Sequence, residues 1–179
     1  MKILLSMLLL TGLVASNTPA WAEWAPDSDN EMELSVAQAI LKAKEKDETM
    51  TKWFSEAYAY AIYPKVGKGA IGIGGAHGKG IVIKGDSTIA DTSLSQLTIG
   101  FQLGGQVYSE FIFFKDQTAL DNFSRGNFEM SAQATAVAIT AGASAETNYD
   151  SGVAVFTIAE GGLMYEASIG GQKFKYKSK

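Results

Sequence analysis

The sequence predicts an α+β fold in which two N-terminal helices pack on a curved, mainly antiparallel β-sheet or partial barrel, with one short connecting helix. Apolar residues recur at a helical period up to Pro64 and with a period of two after it. Seven of the fourteen residues from Gly67 to Gly80 are glycine, which predicts a tight hairpin or a contact surface. The chain has 179 residues and no cysteine, so we expect one domain that is stabilised by packing.

Residues 1–22 have the form of a signal peptide. Lys2 precedes an apolar run from Ile3 to Ala15, and Ala20-Trp21-Ala22 fits the small-x-small pattern of a cleavage site. We therefore expect an exported protein that lies in the periplasm, in a peripheral position if it contacts a membrane.

Residues 23–33 are predicted to be an acidic N-terminal tail, which leaves 34–179 as a single domain. The tail lacks the glycine of a calcium loop, so we expect a solvated segment and no metal site. Its carboxylates belong to Asp27, Asp29, Glu31 and Glu33.

Two helices are predicted before Pro64. The first runs from Leu34 to Lys46, where apolar residues recur at helical spacing. The second is an apolar stripe that begins at Trp53 and ends at Ile62, since Pro64 cannot continue a helix. Both helices are expected to cover one face of the sheet.

The rest of the chain is predicted to be mostly strand. Residues 97–103 alternate between apolar and polar side chains, and Gly104-Gly105 separates them from a run at 106–114 that is bulky on both faces. This pattern predicts a central hairpin, with 106–114 in the core.

The remaining segments are predicted from the same signals. A short helix is expected from Asp116, with Gly126 as its C-terminal cap, and a strand of small residues from Phe128 to Ile139. The last strands are predicted at Val153 to Ala159, Leu163 to Ile169 and Lys173 to Tyr176.

Enzyme and nucleotide motifs are incomplete. Gly78-Lys79-Gly80 lacks the hydroxyl and the upstream glycine of a phosphate loop, and Gly67, Gly69 and Gly72 match a dinucleotide motif by spacing alone. His77 is the only histidine, and Glu166 stands where a nucleophile elbow at Ser168 would need glycine. We expect no enzyme activity and no cofactor. By alternation Glu166 shares a face with Met164 and Ser168, where an exposed or rim position is favoured.

Lysines and aromatic residues near the glycine-rich segment are candidate contacts with a lipid surface. The lysines would meet anionic headgroups and the aromatic rings would lie at the membrane interface. The alternative is that the lysines keep a sheet edge soluble and the aromatic stripe packs on the sheet. The candidates are Trp53, Tyr58, Lys65, Lys68, Lys79 and Lys84.

Four segments in order resemble the SYLF domain, a lipid-binding family, over residues 53–176. They are AIYPKVGKGAIGIGGAHGKG, TIGFQLGGQVYSEFIFF, NFSRGNFEMSAQATAVA and GGLMYEASIGGQKF. The chain departs from the eukaryotic pattern because it lacks a Trp-x-x-Pro element before Leu97 and carries Glu166 in place of a glycine.

The resemblance implies a non-catalytic module that binds lipid or a membrane surface of the cell envelope, with an anionic phospholipid as partner. The alternative is a periplasmic protein-interaction or envelope-structural module without lipid specificity, which would hold an envelope protein. Actin is not expected as a partner of an exported protein. Nucleic acid is not expected because the formal net charge is −4.

Overall fold

The structure is a computed structural model that describes residues 24–71, 73–99, 106–125, 128–131, 134–160 and 166–179. It confirms the α+β class. The helices are α1 (Glu31–Lys46), α2 (Met50–Glu56) and α3 (Gln117–Ser124), with a short 3-10 helix at Ala143–Glu146. The strands are β1 (Ala59–Ile71), β2 (Ile73–Lys84), β3 (Ser87–Ile99), β4 (Gln106–Phe114), β5 (Thr135–Ala138), β6 (Val153–Glu160), β7 (Glu166–Ser168) and β8 (Lys173–Ser178).

The described strands form one mixed sheet in the order β7-β5-β6-β4-β1-β2-β3-β8. Every neighbouring pair is antiparallel except β5 and β6, which are parallel. The glycine-rich segment forms the β1–β2 hairpin, as one of its two sequence interpretations predicted.

The predicted hairpin across Gly104-Gly105 is wrong, because β3 and β4 are not neighbours. β4 pairs with β1 and β6, while β3 pairs with β2 and β8, so four strands follow the Greek-key order β4-β1-β2-β3. The apolar residues on both faces of β4 explain its central place, and all residues from Tyr108 to Phe114 are buried. The prediction that this strand belongs to the core is confirmed.

The sheet must bend, because its two edge strands are close in the chain. Ser168 ends β7 and Lys173 begins β8, so their Cα atoms are at most about 19 Å apart. Eight strands in a flat sheet would span roughly 33 Å from edge to edge. The backbone amide of Met130 bonds the Gln172 carbonyl, and that of Phe174 bonds the Phe128 carbonyl, so residues 128–130 extend the sheet beyond β8.

Two clusters of buried residues lie on opposite faces of the sheet. The outer face is the side of the sheet that carries α1, and the inner face is the side that carries α3. The outer cluster joins α1 and α2 to the sheet through side chains such as Val36, Ala39, Ala43, Met50, Ile62, Ile81, Phe111 and Phe156. The inner cluster holds α3 and the opposite side of the same strands, including Tyr63, Val66, Leu94, Tyr108, Phe114, Phe123 and Phe174.

The predicted helix over the stripe from Trp53 to Ile62 is wrong in its second half. α2 ends at Glu56, and β1 begins at Ala59. From Tyr58 onward the side chains also fit a period of two, and pairing with β2 and β4 buries both faces of the strand. Trp53 and Tyr58 therefore do not share a helical face.

The N-terminal segment is more structured than a solvated tail. Trp24 is buried, and its Nε1 donates to Thr88 Oγ1 at 3.0 Å. The side chain of Asn30 caps α1 by accepting from the amides of Met32 and Glu33. Glu33 is buried and accepts from the Asp27 amide at 2.9 Å and from Lys179 Nζ at 3.4 Å.

The later segments agree with the prediction only in part. α3 begins after Asp116, whose side chain accepts from the Ala119 amide at 2.9 Å, but Gly126 lies outside the described residues. The predicted strand from Phe128 to Ile139 is shorter: Glu129 makes an isolated bridge to Lys173, and β5 begins only at Thr135. β6 and β8 lie where the last strands were predicted.

Close backbone contact explains one of the hairpin glycines. A Cβ atom on Gly80 would lie 2.1 Å from the Ile62 carbonyl oxygen, whereas a Cβ on Gly67 would meet nothing within 4 Å. Gly80 lies opposite the irregularity of β1 between Ile62 and Lys65. Glycine is required there because the two backbones approach each other more closely than any side chain allows.

Candidate lysine groove

Lys65 and Lys79 lie directly opposite each other on β1 and β2. Both are exposed on the outer face: Val66, next to Lys65, belongs to the inner cluster, and Ile81, two residues after Lys79, belongs to the outer cluster. The bulge before Lys65 contains Pro64, whose carbonyl accepts from Ser109 Oγ at 2.8 Å. Proline has no amide N–H to donate to the ladder, and it is tolerated at such a bulge because regular pairing is interrupted there.

A groove of about 790 Å³ separates this part of the hairpin from α1. We call it the lysine groove. Its α1 side is formed by Met32, Ser35, Gln38, Ala39 and Lys42, and its sheet side by Pro64, Lys65, Gly67, His77, Gly78, Lys79, Val107, Ser109 and Glu160.

Positive charge dominates the lysine groove. Lys42 Nζ lies 3.4 Å from Glu160 Oε1, so these two charges offset each other. Among the residues that the structure describes, neither Lys65 nor Lys79 forms a salt bridge. Like charges directly opposite each other on paired strands are unfavourable, so this pair favours an anion between them.

Lys68 lies on the other face of the sheet. It is half-buried, and burial lowers the pKa of its ammonium while the Glu110 charge acts to raise it. The predicted lysine set is therefore divided between the two faces, with Lys65 and Lys79 together and Lys68 apart.

Lys84 and Tyr58 form a separate contact at the far end of the hairpin. Lys84 Nζ donates to Tyr58 Oη at 2.6 Å and lies 4.3 Å from the centre of its ring. Five residues separate Lys84 from Lys79 along β2, or about 17 Å. These two candidates do not line the lysine groove.

Trp53 packs on the sheet. Its ring lies 5.0 Å from Phe156 and 5.5 Å from Phe113 between centres, and its Nε1 donates to the Ser144 carbonyl at 3.1 Å. These contacts favour the packing interpretation of the aromatic stripe. A role of Trp53 in lipid binding stays a prediction.

Sequence reasoning missed a buried polar cluster on the inner face. Glu110 and Gln172 are fully buried, and Gln172 Nε2 donates to Glu110 Oε2 at 2.9 Å and to Tyr108 Oη at 3.4 Å. Burial raises the pKa of Glu110 to about 7, although Gln172 and Lys68 act to lower it. A single glutamate between Tyr108 and Ile112 was the only signal for this cluster in the sequence.

Metal ligands, His77 and Glu166 were also considered in the sequence analysis. Within the described ranges, no group of three or more carboxylate or histidine side chains could hold a metal ion. His77 is exposed at the edge of the lysine groove, and the side chain of Glu166 lies outside the described residues. The described part of the chain also contains no helix with the length and apolar character that crossing a bilayer requires.

The described residues form an α+β domain with a basic groove, and comparison with known proteins shows which family it resembles. Residues 95–179 match the family Ysc84, described as Las17-binding protein actin regulator. This match confirms the resemblance to the Ysc84 (SYLF) family over residues 95–179. Beta cell expansion factor A of Aeromonas veronii is 26% identical over 139 residues, which are 76% of this chain and 52% of that protein. The chain thus spans about half of that relative's length.

Proposed function

We propose that this protein is a non-catalytic module that binds the surface of an envelope membrane, with the phosphate of an anionic phospholipid held between Lys65 and Lys79. The observation that carries this proposal is the cross-strand lysine pair, which has no salt-bridge partner among the described residues. A phosphate between two ammonium groups would replace their repulsion with two attractive contacts. The match to the SYLF family is consistent with this proposal. Because we also propose that the chain is exported, we propose no actin contact.

The groove geometry favours a headgroup over a large partner. Gly67 beside the lysine pair leaves the backbone open, so a phosphate can come close to the strand. α1 limits access from one side, and Lys42, offset by Glu160, adds little net charge. Each free lysine near an anionic membrane contributes about 1 kcal/mol.

Vesicle co-sedimentation tests the proposal. Vesicles of phosphatidylcholine alone and of phosphatidylcholine mixed with phosphatidylglycerol are compared, using the full chain and the double variant Lys65→Ala/Lys79→Ala. We expect the chain to prefer anionic vesicles and the variant to partition about 30-fold less strongly, because two such contacts are lost. The preference should decrease at high salt.

The matched control is Lys46→Ala/Lys115→Ala, which removes two exposed lysines outside the groove and makes the same change in net charge. Residues 1–23 are present in every variant, so binding through them is the same throughout. Equal loss in both double variants would mean that only net charge matters. If no vesicle retains the wild-type chain, the module is better assigned to protein interaction.

A further inference from the structure

The outer face continues beyond the lysine groove across β3 and β8. Lys65 lies opposite Lys79, Lys79 opposite Ser93, and Ser93 opposite Lys175. These four residues form a row across hydrogen-bonded strands, about 14 Å from the first to the last. Lys175 is exposed and was not among the predicted contacts.

Two further rows lie parallel to this one, toward the glycine-rich end of the hairpin. The next row contains Gly67, His77, Ser95 and Lys173, of which Lys173 is 3.6 Å from Glu129. The row after it contains Gly69, Gly75 and Leu97. The face therefore changes from basic to apolar over about 14 Å along the strands.

Leu97 is the most exposed large apolar side chain in the described part of the chain, at 72%. Its neighbours across the row are glycines, so no side chain on β2 or β1 shields it. On the same face of β3, Leu97 follows the polar residues Asp91, Ser93 and Ser95, and its exposed apolar surface is unfavourable in water. The cost is removed if Leu97 contacts lipid.

We infer that the described outer face from the lysine row to Leu97 meets the membrane interface, with Leu97 at the boundary of the acyl chains and the lysine row at the phosphates. This inference rests on the proposed function, because it gives the orientation in which the same face meets an anionic membrane. Lysine stems are flexible enough to keep their ammonium groups at phosphate level while the backbone lies deeper. Lys175 becomes the third basic contact of the face.

The absence of cysteine makes the orientation directly measurable. An environment-sensitive nitrobenzoxadiazole probe is attached to a single cysteine at Leu97→Cys in the full chain. We expect a blue shift and a rise in its emission on addition of vesicles containing phosphatidylglycerol. The same probe at Asp86→Cys, which is exposed in the turn at the other end of the β1–β2–β3 meander, should not respond.

Substitutions of Leu97 and Lys175 measure how much each side chain contributes to vesicle partitioning. Leu97→Asp should weaken partitioning about 10- to 100-fold, because the apolar contact is lost. Lys175→Ala should weaken it about fivefold, whereas Lys46→Ala should not. Leu97 is exposed, so its replacement should leave the thermal unfolding of the free protein unchanged within error.

The outcomes separate the two proposals. If the wild type binds anionic vesicles but the probe at position 97 does not respond, the orientation is wrong and the proposed function stands. If the probe at position 86 responds instead, the opposite end of the meander meets the membrane. If the wild-type chain binds no vesicle, the proposed function itself is wrong, and the orientation that rests on it is wrong too.

Discussion

Gln172 and Glu110 link the end of the sheet to its centre through one buried hydrogen bond of 2.9 Å. Gln172 lies in the four-residue connection between β7 and β8, while Glu110 lies in the central strand β4. Glu110 Oε1 and Gln172 Oε1 have no hydrogen-bond partner within the described structure, nor does the hydroxyl of Thr157, which is opposite Glu110 on β6. Buried acceptors without donors are costly, so a proton on Glu110 stabilises the cluster.

Stability should therefore fall as the pH rises through the slightly acidic range. The ordinary pKa of the carboxyl is 4.5, and in the folded protein burial raises the pKa of Glu110 to about 7. The folded state holds the proton more tightly, so the contribution of Glu110 to the free energy of unfolding is largest below pH 4.5. It decreases by about 3 kcal/mol up to pH 7 and is constant above that.

Glu110→Gln should remove this dependence. Urea unfolding between pH 4.5 and pH 8 should give a flatter profile for the variant than for the wild type, with the difference between them changing by about 3 kcal/mol. Glu146→Gln makes the same chemical change at an exposed position and should leave the profile as in wild type. Parallel profiles for wild type and Glu110→Gln would rule out Glu110 as the titrating group.

In the glycine-rich hairpin, alanine should leave the free energy of unfolding nearly unchanged at one glycine and lower it strongly at another. Gly80→Ala should lower the free energy of unfolding by about 3 kcal/mol, since its Cβ would lie 2.1 Å from the Ile62 carbonyl oxygen. Gly67→Ala has open space and should change it by less than about 0.5 kcal/mol. Chemical denaturation of both variants measures the contrast, and equal effects would contradict the close approach of β1 and β2.

The sequence was sufficient for elements with strong local signals. α1, the β1–β2 hairpin, the buried strand β4 and α3 are all indicated by periodicity, glycine content and capping residues. The stripe after Trp53 was misassigned because residues 58–63 fit both periods, and only pairing with β2 and β4 selects the strand. Where the sequence fits both helix and strand, tertiary contacts determine which of them forms.

Only some residues of the candidate site could be predicted from the sequence. Lys65 and Lys68 are three residues apart, and in a strand an odd separation already places side chains on opposite faces. Lys175 is different, because it joins the row of Lys65 and Lys79 only through the register of β3 with β8. Pairing between segments so far apart in the chain has no local signal in one sequence.

Trp53→Phe should lower stability and leave vesicle binding as it is. The variant keeps an aromatic ring against Phe113 and Phe156 but loses the hydrogen bond to the Ser144 carbonyl, so we expect a loss of about 1 kcal/mol. Thermal unfolding and co-sedimentation with phosphatidylglycerol vesicles give the two readouts. Weaker vesicle binding with unchanged stability would instead place Trp53 at the membrane.

Substitutions of Lys68 and Lys65 should affect different properties, because the two side chains lie on opposite faces of one strand. Lys68 should influence the pH dependence of stability, and Lys65 should influence vesicle binding. Lys68→Met removes the positive charge that acts to lower the pKa of Glu110, so the pH-dependent loss of stability should extend to higher pH. Vesicle binding should be unchanged, since the proposed membrane contact is on the outer face and Lys68 lies on the inner face. Lys65→Met is the reciprocal control: it should reduce partitioning about fivefold and leave the pH profile of unfolding as in wild type. Equal loss of vesicle binding in both variants would mean that the two lysines act as one patch, and would overturn the division of the basic residues between the faces of the sheet.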